Sequence, residues 1–248
     1  MLASPAFPRR LVDGYRDFRV GRMPTERERY RELAKRGQSP ATMIIGCCDS
    51  RVSPEVIFDA GPGELFVVRN VANLIPPYSP DGAYHGVSAA LEFGVGALRV
   101  KHIVVLGHAH CGGVRAFAEE HAPLSPGDFI GKWMSLIAPA AEKLGARAEA
   151  PLADYLTRLE QASVANSLDN LMTFPRLAKL IEKGKIALHG AYFGVATGDM
   201  SVLDRASGAS ARAPSFSAAG AISDIHLPMK SPGDSGACSS AKARTPPQ

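Results

Sequence analysis

An α/β fold, with a central and mainly parallel sheet flanked by helices, is what this sequence predicts, and three observations predict it. Apolar, β-branched runs at 42–47, 64–68, 102–106 and 185–193 read as strands. Between them, 84–98, 113–120 and the stretch from about 128 to 183 carry apolar residues at helical spacing, and strands alternating with helices build a parallel sheet. The chain is also large enough: 248 residues, 46% of them hydrophobic, can bury the core of one large domain or two small ones.

The elements follow in order. Residues 9–22 and 24–36 mix charges with Leu11, Tyr15, Phe18, Tyr30 and Leu33 at roughly helical spacing, which gives two helices with a narrow apolar stripe. Pro24 suits the first turn of the second helix, and Met23 stands before it as a break. The strands and helices of the α/β core come next, and 201–204 reads as a short edge strand. After Asp204 the composition turns to Ala, Ser, Gly and Pro with few large apolar groups. Such a segment buries too little surface to offset its ordering entropy, so 205–248 reads as a disordered tail. The chain thus divides into 1–36, 37–204 and 205–248.

Charge and composition exclude several classes. The net charge of +4 resides mostly in the tail, where five basic residues face two acidic ones. The remainder is nearly neutral and has no Lys/Arg stripe interleaved with aromatics, which argues against nucleic-acid binding. No apolar run approaches the length that spans a bilayer, and residues 1–8 lack the apolar segment of a secretory signal. Four cysteines, at 47, 48, 111 and 238, are too few for a disulfide framework at this length. A reducing cytosol fits them. Gly94-Val95-Gly96 lies in a helix pattern without the third glycine of a dinucleotide loop.

Two motifs carry the chemistry. Cys47-Cys48-Asp49-Ser50-Arg51 follows the first strand, and His108-Ala109-His110-Cys111-Gly112-Gly113 follows the third. Parallel strands bring ligands together at their carboxyl ends. Cys47, His108 and Cys111 can there form a Cys2His zinc site with an open fourth position, the pattern of a catalytic zinc. Cys48 and His110, each adjacent to a ligand, are read as non-ligands. Asp49 and Arg51 lie two apart, so they share a face of an extended segment or meet in a tight turn. A guanidinium there keeps the carboxylate ionised and holds it in place. Gly112 and Gly113 allow close backbone approach.

These residues resemble the β-class carbonic anhydrases, whose C-x-D-x-R and H-x-x-C-G-G patterns read here as Cys47-x-Asp49-x-Arg51 and His108-x-x-Cys111-Gly112-Gly113. The resemblance continues through Gly37-Gln38-Ser39-Pro40, Phe66 to Asn73, Ser88 to Phe93, Asn166 to Leu171 and His189-Gly190-Ala191-Tyr192, and covers roughly residues 10 to 204. It implies one Zn2+ per chain and reversible hydration of carbon dioxide to bicarbonate and a proton, through attack of a zinc hydroxide. It also implies that Asp49 orients the nucleophile and Arg51 keeps Asp49 off the metal. Gln38, Phe66, Val71, Tyr84 and Gly112 match positions that line the substrate pocket, some of them supplied by a neighbouring subunit. The implied assembly is a homodimer or dimer-based oligomer, with residues 1–36 as a helical arm on a partner. Ile44 stands where members with an inhibitory bicarbonate site often carry Trp, which favours the uninhibited subtype. The alternatives are a related zinc lyase or hydrolase acting on carbon disulfide or carbonyl sulfide, and a non-enzymatic zinc-binding module.

Overall fold

The computed structural model describes residues 7–119, 129–203 and 216–218. Two helices open the chain, α1 (Arg9–Val20) and α2 (Arg22–Arg36). Strand β1 (Thr42–Cys47), a single turn α3 (Pro54–Ile57), β2 (Leu65–Asn70) and α4 (Gly86–Phe93) follow. β3 (His102–His108) leads into α5 (Gly112–Ala118). Helices α6 (Phe129–Met134), α7 (Ala138–Leu144), α8 (Leu152–Leu171) and α9 (Pro175–Glu182) precede β4 (Ala187–Phe193), β5 (Met200–Leu203) and β6 (Phe216–Ala218). The sheet order is β2-β1-β3-β4-β5-β6. The first four strands pair in parallel, whereas β5 and β6 join antiparallel.

The central strands are buried on both faces, which is why their sequences are unbroken apolar runs. Met43 and Ile45 of β1 and Ile103 and Val105 of β3 meet Leu91 of α4, Val164, Leu168 and Leu171 of α8 and Leu177 of α9. Ile44 and Leu106 turn the other way and pack with Ala191. Each fully buried aliphatic side chain of this kind contributes about 1.5–3 kcal/mol. Close contact of α8 with the sheet depends on glycine. A Cβ at Gly107 of β3 would meet Val164 Cγ2 at 2.5 Å, and one at Gly190 of β4 would meet Leu168 Cδ1 at 3.1 Å. A third cluster, including Val52, Leu74, Val114, Met134 and Leu159, gathers around Cys47 and Cys111 at the carboxyl ends of the strands.

The fold class is as predicted, with local differences. β2 and β3 run on to Asn70 and His108, because main-chain pairing continues past the apolar run: Cys47 stands opposite Asn70, and His108 opposite Phe193. The break between the first two helices falls at Gly21, and Met23 is already helical. α4 begins only at Gly86 and widens into a π-helical turn at Gly94–Leu98. Gly145, at φ 80°, and Pro151, just before α8, divide the long helical stretch. Neither α1 nor α2 has a buried residue: Leu11, Tyr15 and Val20 are exposed, and Phe18 meets Tyr30 edge-on at 6.1 Å. Within the expected tail, residues 216–218 pair with β5, whose edge offers unpaired main-chain groups, so these three depart from the expectation. The rest of 205–248 lies outside the described residues.

The Gly107 contact gives a direct test of how tightly α8 packs. Gly107→Ala should lower the unfolding free energy by about 1–3 kcal/mol through overpacking, read from the denaturant midpoint. A stability equal to wild type would show that Val164 yields without cost.

Candidate metal centre

Three backbone positions bring the candidate metal ligands together. Cys47 is the last residue of β1, His108 the last of the adjacent β3, and Cys111 immediately precedes α5. All three are buried, and their ligand atoms lie within 4.8 Å of one another. The imidazole Nδ1 lies 3.0 Å from the Ala109 carbonyl oxygen, so this nitrogen carries the proton and donates. Nε2 is buried and has no hydrogen-bond partner among the described residues. An orphaned buried acceptor costs about 1–3 kcal/mol. A metal removes that cost, and a ligating histidine commonly donates its other N–H to a carbonyl in this way. The residues present therefore fit a metal ion.

The sulfurs are surrounded by main-chain donors. The Cys47 sulfur accepts N–H groups from Asp49 at 3.4 Å and Ala72 at 3.3 Å, and the Cys111 sulfur accepts those of Gly113 and Val114. A hydrogen bond from the Cys111 thiol holds the Cys47 thiol well below its ordinary range; burial opposes this, and His108 and the amides of Asp49 and Ala72 assist. The same contact, with burial, pushes the Cys111 thiol up. Burial pulls His108 down, but the Cys47 sulfur and the Ala109 carbonyl outweigh it and raise the imidazole overall. Without metal, one thiolate forms easily and the second does not.

Asp49 and Arg51 meet in a tight turn. Asp49 Oδ1 accepts the Arg51 main-chain N–H at 3.0 Å and Nε at 2.9 Å, while Oδ2 accepts Nη2 at 2.6 Å. These bonds hold the Asp49 carboxyl far below the usual carboxylate range. Arg51 Nη2 also reaches the His110 carbonyl at 3.0 Å, linking the two motif loops. Arg69 fastens the first loop from β2, donating to Cys47 O at 2.8 Å and Asp49 O at 2.6 Å. Asn70 clamps both main-chain groups of Leu74, and Ala72 between them sits at φ 62°. A non-glycine residue there costs on the order of 1 kcal/mol, and the conformation presents the Ala72 amide to Cys47.

The predicted pocket residues divide into two groups. Val71 and Tyr84, with Cys48, Trp133 and Lys132, line a cavity of about 740 Å³ beside the metal site. Gly112 begins α5, next to Cys111. A Cβ at Gly112 would meet nothing within 4 Å, so close approach is a property of Gly113, where it would lie 3.1 Å from Val71. Gln38 and Phe66, by contrast, are not brought to this site within the chain. Phe66 stands opposite Met43, four residues before Cys47 along β1, roughly 13 Å away at strand rise. It packs against Phe93, ring centroids 6.0 Å apart. Exposed Gln38 precedes the start of β1, at the same far end of the sheet.

Three contributors escaped the sequence reading. Arg69 holds the loop after Cys47 from within the Phe66 to Asn73 stretch, and Trp133 donates to the Val71 carbonyl at 2.9 Å. Buried Glu160 of α8 accepts the Cys111 N–H at 2.9 Å. Burial raises the Glu160 carboxyl, although hydrogen bonds from Tyr192 and Cys111 oppose the shift. The usable signal was polar spacing on α8: Glu160, Ser163, Ser167 and Asn170 recur at helical intervals, on a face expected to be apolar.

Comparison with known proteins agrees with this geometry. The family profile described as carbonic anhydrase matches residues 42–200. A carbonic anhydrase of Pseudomonas aeruginosa is 37% identical over 199 residues, 80% of this chain and 89% of that protein. Beta carbonic anhydrase 3 of Arabidopsis thaliana is 33% identical over 192 residues, covering 76% and 74%. A solved structure of a tetrameric beta-carbonic anhydrase from Sordaria macrospora superposes with a TM-score of 0.67 at 28% identity, covering 78% of this chain and 94% of that one. No helix among the described residues is long and apolar enough to cross a membrane. A buried Cys-His-Cys cluster at the ends of parallel strands, matched by profile, sequence and structure, makes this chain a member of the β-class carbonic anhydrases, which hydrate carbon dioxide reversibly.

Proposed function

We propose that Cys47, His108 and Cys111 hold one Zn2+ per chain and that Asp49, fixed by Arg51, directs the water that attacks carbon dioxide. The single observation that carries this reading is the buried Nε2 of His108, which has no hydrogen-bond partner among the described residues, in a cluster with two sulfurs whose ligand atoms lie within 4.8 Å of one another. Two thiolates and an imidazole favour zinc among abundant divalent ions. When bound, zinc supplies a Lewis acid that brings the pKa of water to near neutrality.

The protein's own groups do the rest. The Asp49 carboxylate remains ionised at physiological pH and accepts a hydrogen bond from the attacking water, aiming a lone pair at the carbon. Arg51 engages both carboxylate oxygens and so restrains Asp49 from turning onto the metal. Val71 gives the nonpolar gas an apolar wall, Tyr84 borders the cavity mouth, and the Gly112 amide donates to a substrate oxygen. Carbon dioxide and water leave as bicarbonate and one proton. Gln38 and Phe66 serve the site of a second copy: each lies at the wrong end of its own sheet, and α1 exposes apolar side chains for a partner. The reading is thus a homodimer or dimer-based oligomer. Residues 1–36 form its arm and 37–204 its catalytic unit, while 205–248 lie outside the machinery. Reduced thiols in a metal site suit the cytoplasm.

Zinc uptake should be proton-linked. Cys111 keeps its proton at neutral pH without metal, and zinc binds only its thiolate, so at least one proton is released. Apparent Zn2+ affinity should rise about tenfold or more per pH unit through neutrality. Chelator competition measures it, and a flat profile would contradict the ligand set. Cys47→Ser should lose most of its zinc, whereas Cys48→Ser should keep it.

Asp49→Ala should retain zinc yet lose about 10²-fold or more in stopped-flow hydration at neutral pH. Zinc loss in step with activity would make Asp49 a ligand instead.

The shared site can be tested by complementation. Gln38→Ala and Cys47→Ser are each expected to be nearly inactive alone. Mixed subunits leave one intact site per heterodimer, so activity should return to roughly one quarter of wild type. Absence of recovery in verified heterodimers would place Gln38 outside the partner's site.

A further inference from the structure

We infer that Glu160 is a positioning residue that holds Cys111 in metal-binding geometry, with the Tyr192 hydroxyl as its anchor. Glu160 is 5% exposed and Tyr192 7% exposed. One carboxylate oxygen, Oε1, accepts the Cys111 main-chain N–H at 2.9 Å, and the other, Oε2, accepts the Tyr192 hydroxyl at 2.5 Å. Thr157, one turn earlier on α8, also hydrogen-bonds Tyr192. Helix α8, strand β4 and the loop carrying Cys111 are thereby tied at one carboxylate.

The chemistry of the side chain is specific to this task. A buried carboxylate is costly unless its lone pairs are used, and here both of its oxygens accept hydrogen bonds. The site presents two donors, a main-chain N–H and a phenol. A carboxylate accepts both, whereas the amide of glutamine offers one acceptor, so it keeps the Cys111 N–H only if the Tyr192 hydroxyl gives up its donor role and accepts instead. The same face of α8 holds the other half of the site. Ser167 Oγ reaches the Asn73 carbonyl at 3.4 Å, and Asn170 Nδ2 donates to the Ile75 carbonyl at 2.7 Å. That segment contains Ala72, whose N–H meets the Cys47 sulfur. A single rigid helix therefore registers both sulfurs against each other, and Glu160 is its contact on the Cys111 side.

Glu160 acts in this way only if Cys111 holds the metal, as proposed above, so the experiment separates the two statements. Zn2+ affinity of the full chain is measured by competition with a chromophoric chelator, and the thiolate-to-metal absorption band is recorded after Co2+ substitution. Wild type, Glu160→Gln, Tyr192→Phe and a Cys111→Ser control are compared. A merely structural role weakens metal-free and metal-loaded protein equally and leaves Zn2+ affinity unmoved. Positioning predicts that Glu160→Gln binds Zn2+ about 10–100-fold more weakly, with a shifted cobalt band, and that Tyr192→Phe shows a smaller loss in the same direction. Should Glu160→Gln fail to fold, Tyr192→Phe decides by the same measurement. Wild-type Zn2+ affinity in the folded variants overturns the positioning role. Wild-type affinity in Cys111→Ser overturns the metal-site reading itself, and the role of Glu160 with it.

Discussion

Two sulfurs and one imidazole nitrogen, buried within 4.8 Å of one another, impose a demand that the surrounding structure is built to meet. Left without metal, the second thiol resists ionisation because the first sulfur and burial both oppose it. The imidazole acceptor meanwhile has no hydrogen-bond partner among the described residues. A divalent cation would resolve both conflicts together, so the proposed metal would serve this corner structurally as well as chemically. The neighbouring arrangement follows from that. Main-chain amides from four residues face the sulfurs, a strained Ala72 delivers one of them, and Arg69 holds the loop after Cys47 in place.

Parallel topology places these groups at one end of the sheet and leaves Gln38 and Phe66 at the other. The strand register puts Cys47 opposite Asn70 and Met43 opposite Phe66, so no loop movement of ordinary size joins the two sets in one chain. A site assembled from two copies, as proposed, would account for expected pocket residues at both ends. It also accounts for an N-terminal pair of helices with no buried residue of its own. Association and catalysis would then depend on the same surfaces.

Legibility from sequence followed the range of each interaction. β1 and β3 were visible because a strand buried on both faces must be apolar throughout, and the ligand motifs were visible because each sits within a few residues of a strand end. For Asp49 and Arg51, spacing alone left an extended face and a tight turn both open, and the turn is what forms: one carboxylate oxygen takes both the main-chain and side-chain N–H of Arg51. The contacts that fix the site from behind were not legible. Glu160 reaches Cys111 across 49 positions and Tyr192 across 32, while Arg69 reaches back 22 to Cys47. No local pattern announces a left-handed alanine at 72, and the strand at 216–218 depends on the open edge of β5 rather than on its own composition.

The central claim is that one zinc ion per chain is held by two thiolates and one imidazole, with a further position open. X-ray absorption at the zinc edge of the purified protein tests it most directly. The expected result is one equivalent of zinc, with two sulfur scatterers at about 2.3 Å and the remaining ligands, nitrogen or oxygen, at about 2.0–2.1 Å. A shell with no sulfur, or with three, would contradict the assignment of Cys47, His108 and Cys111.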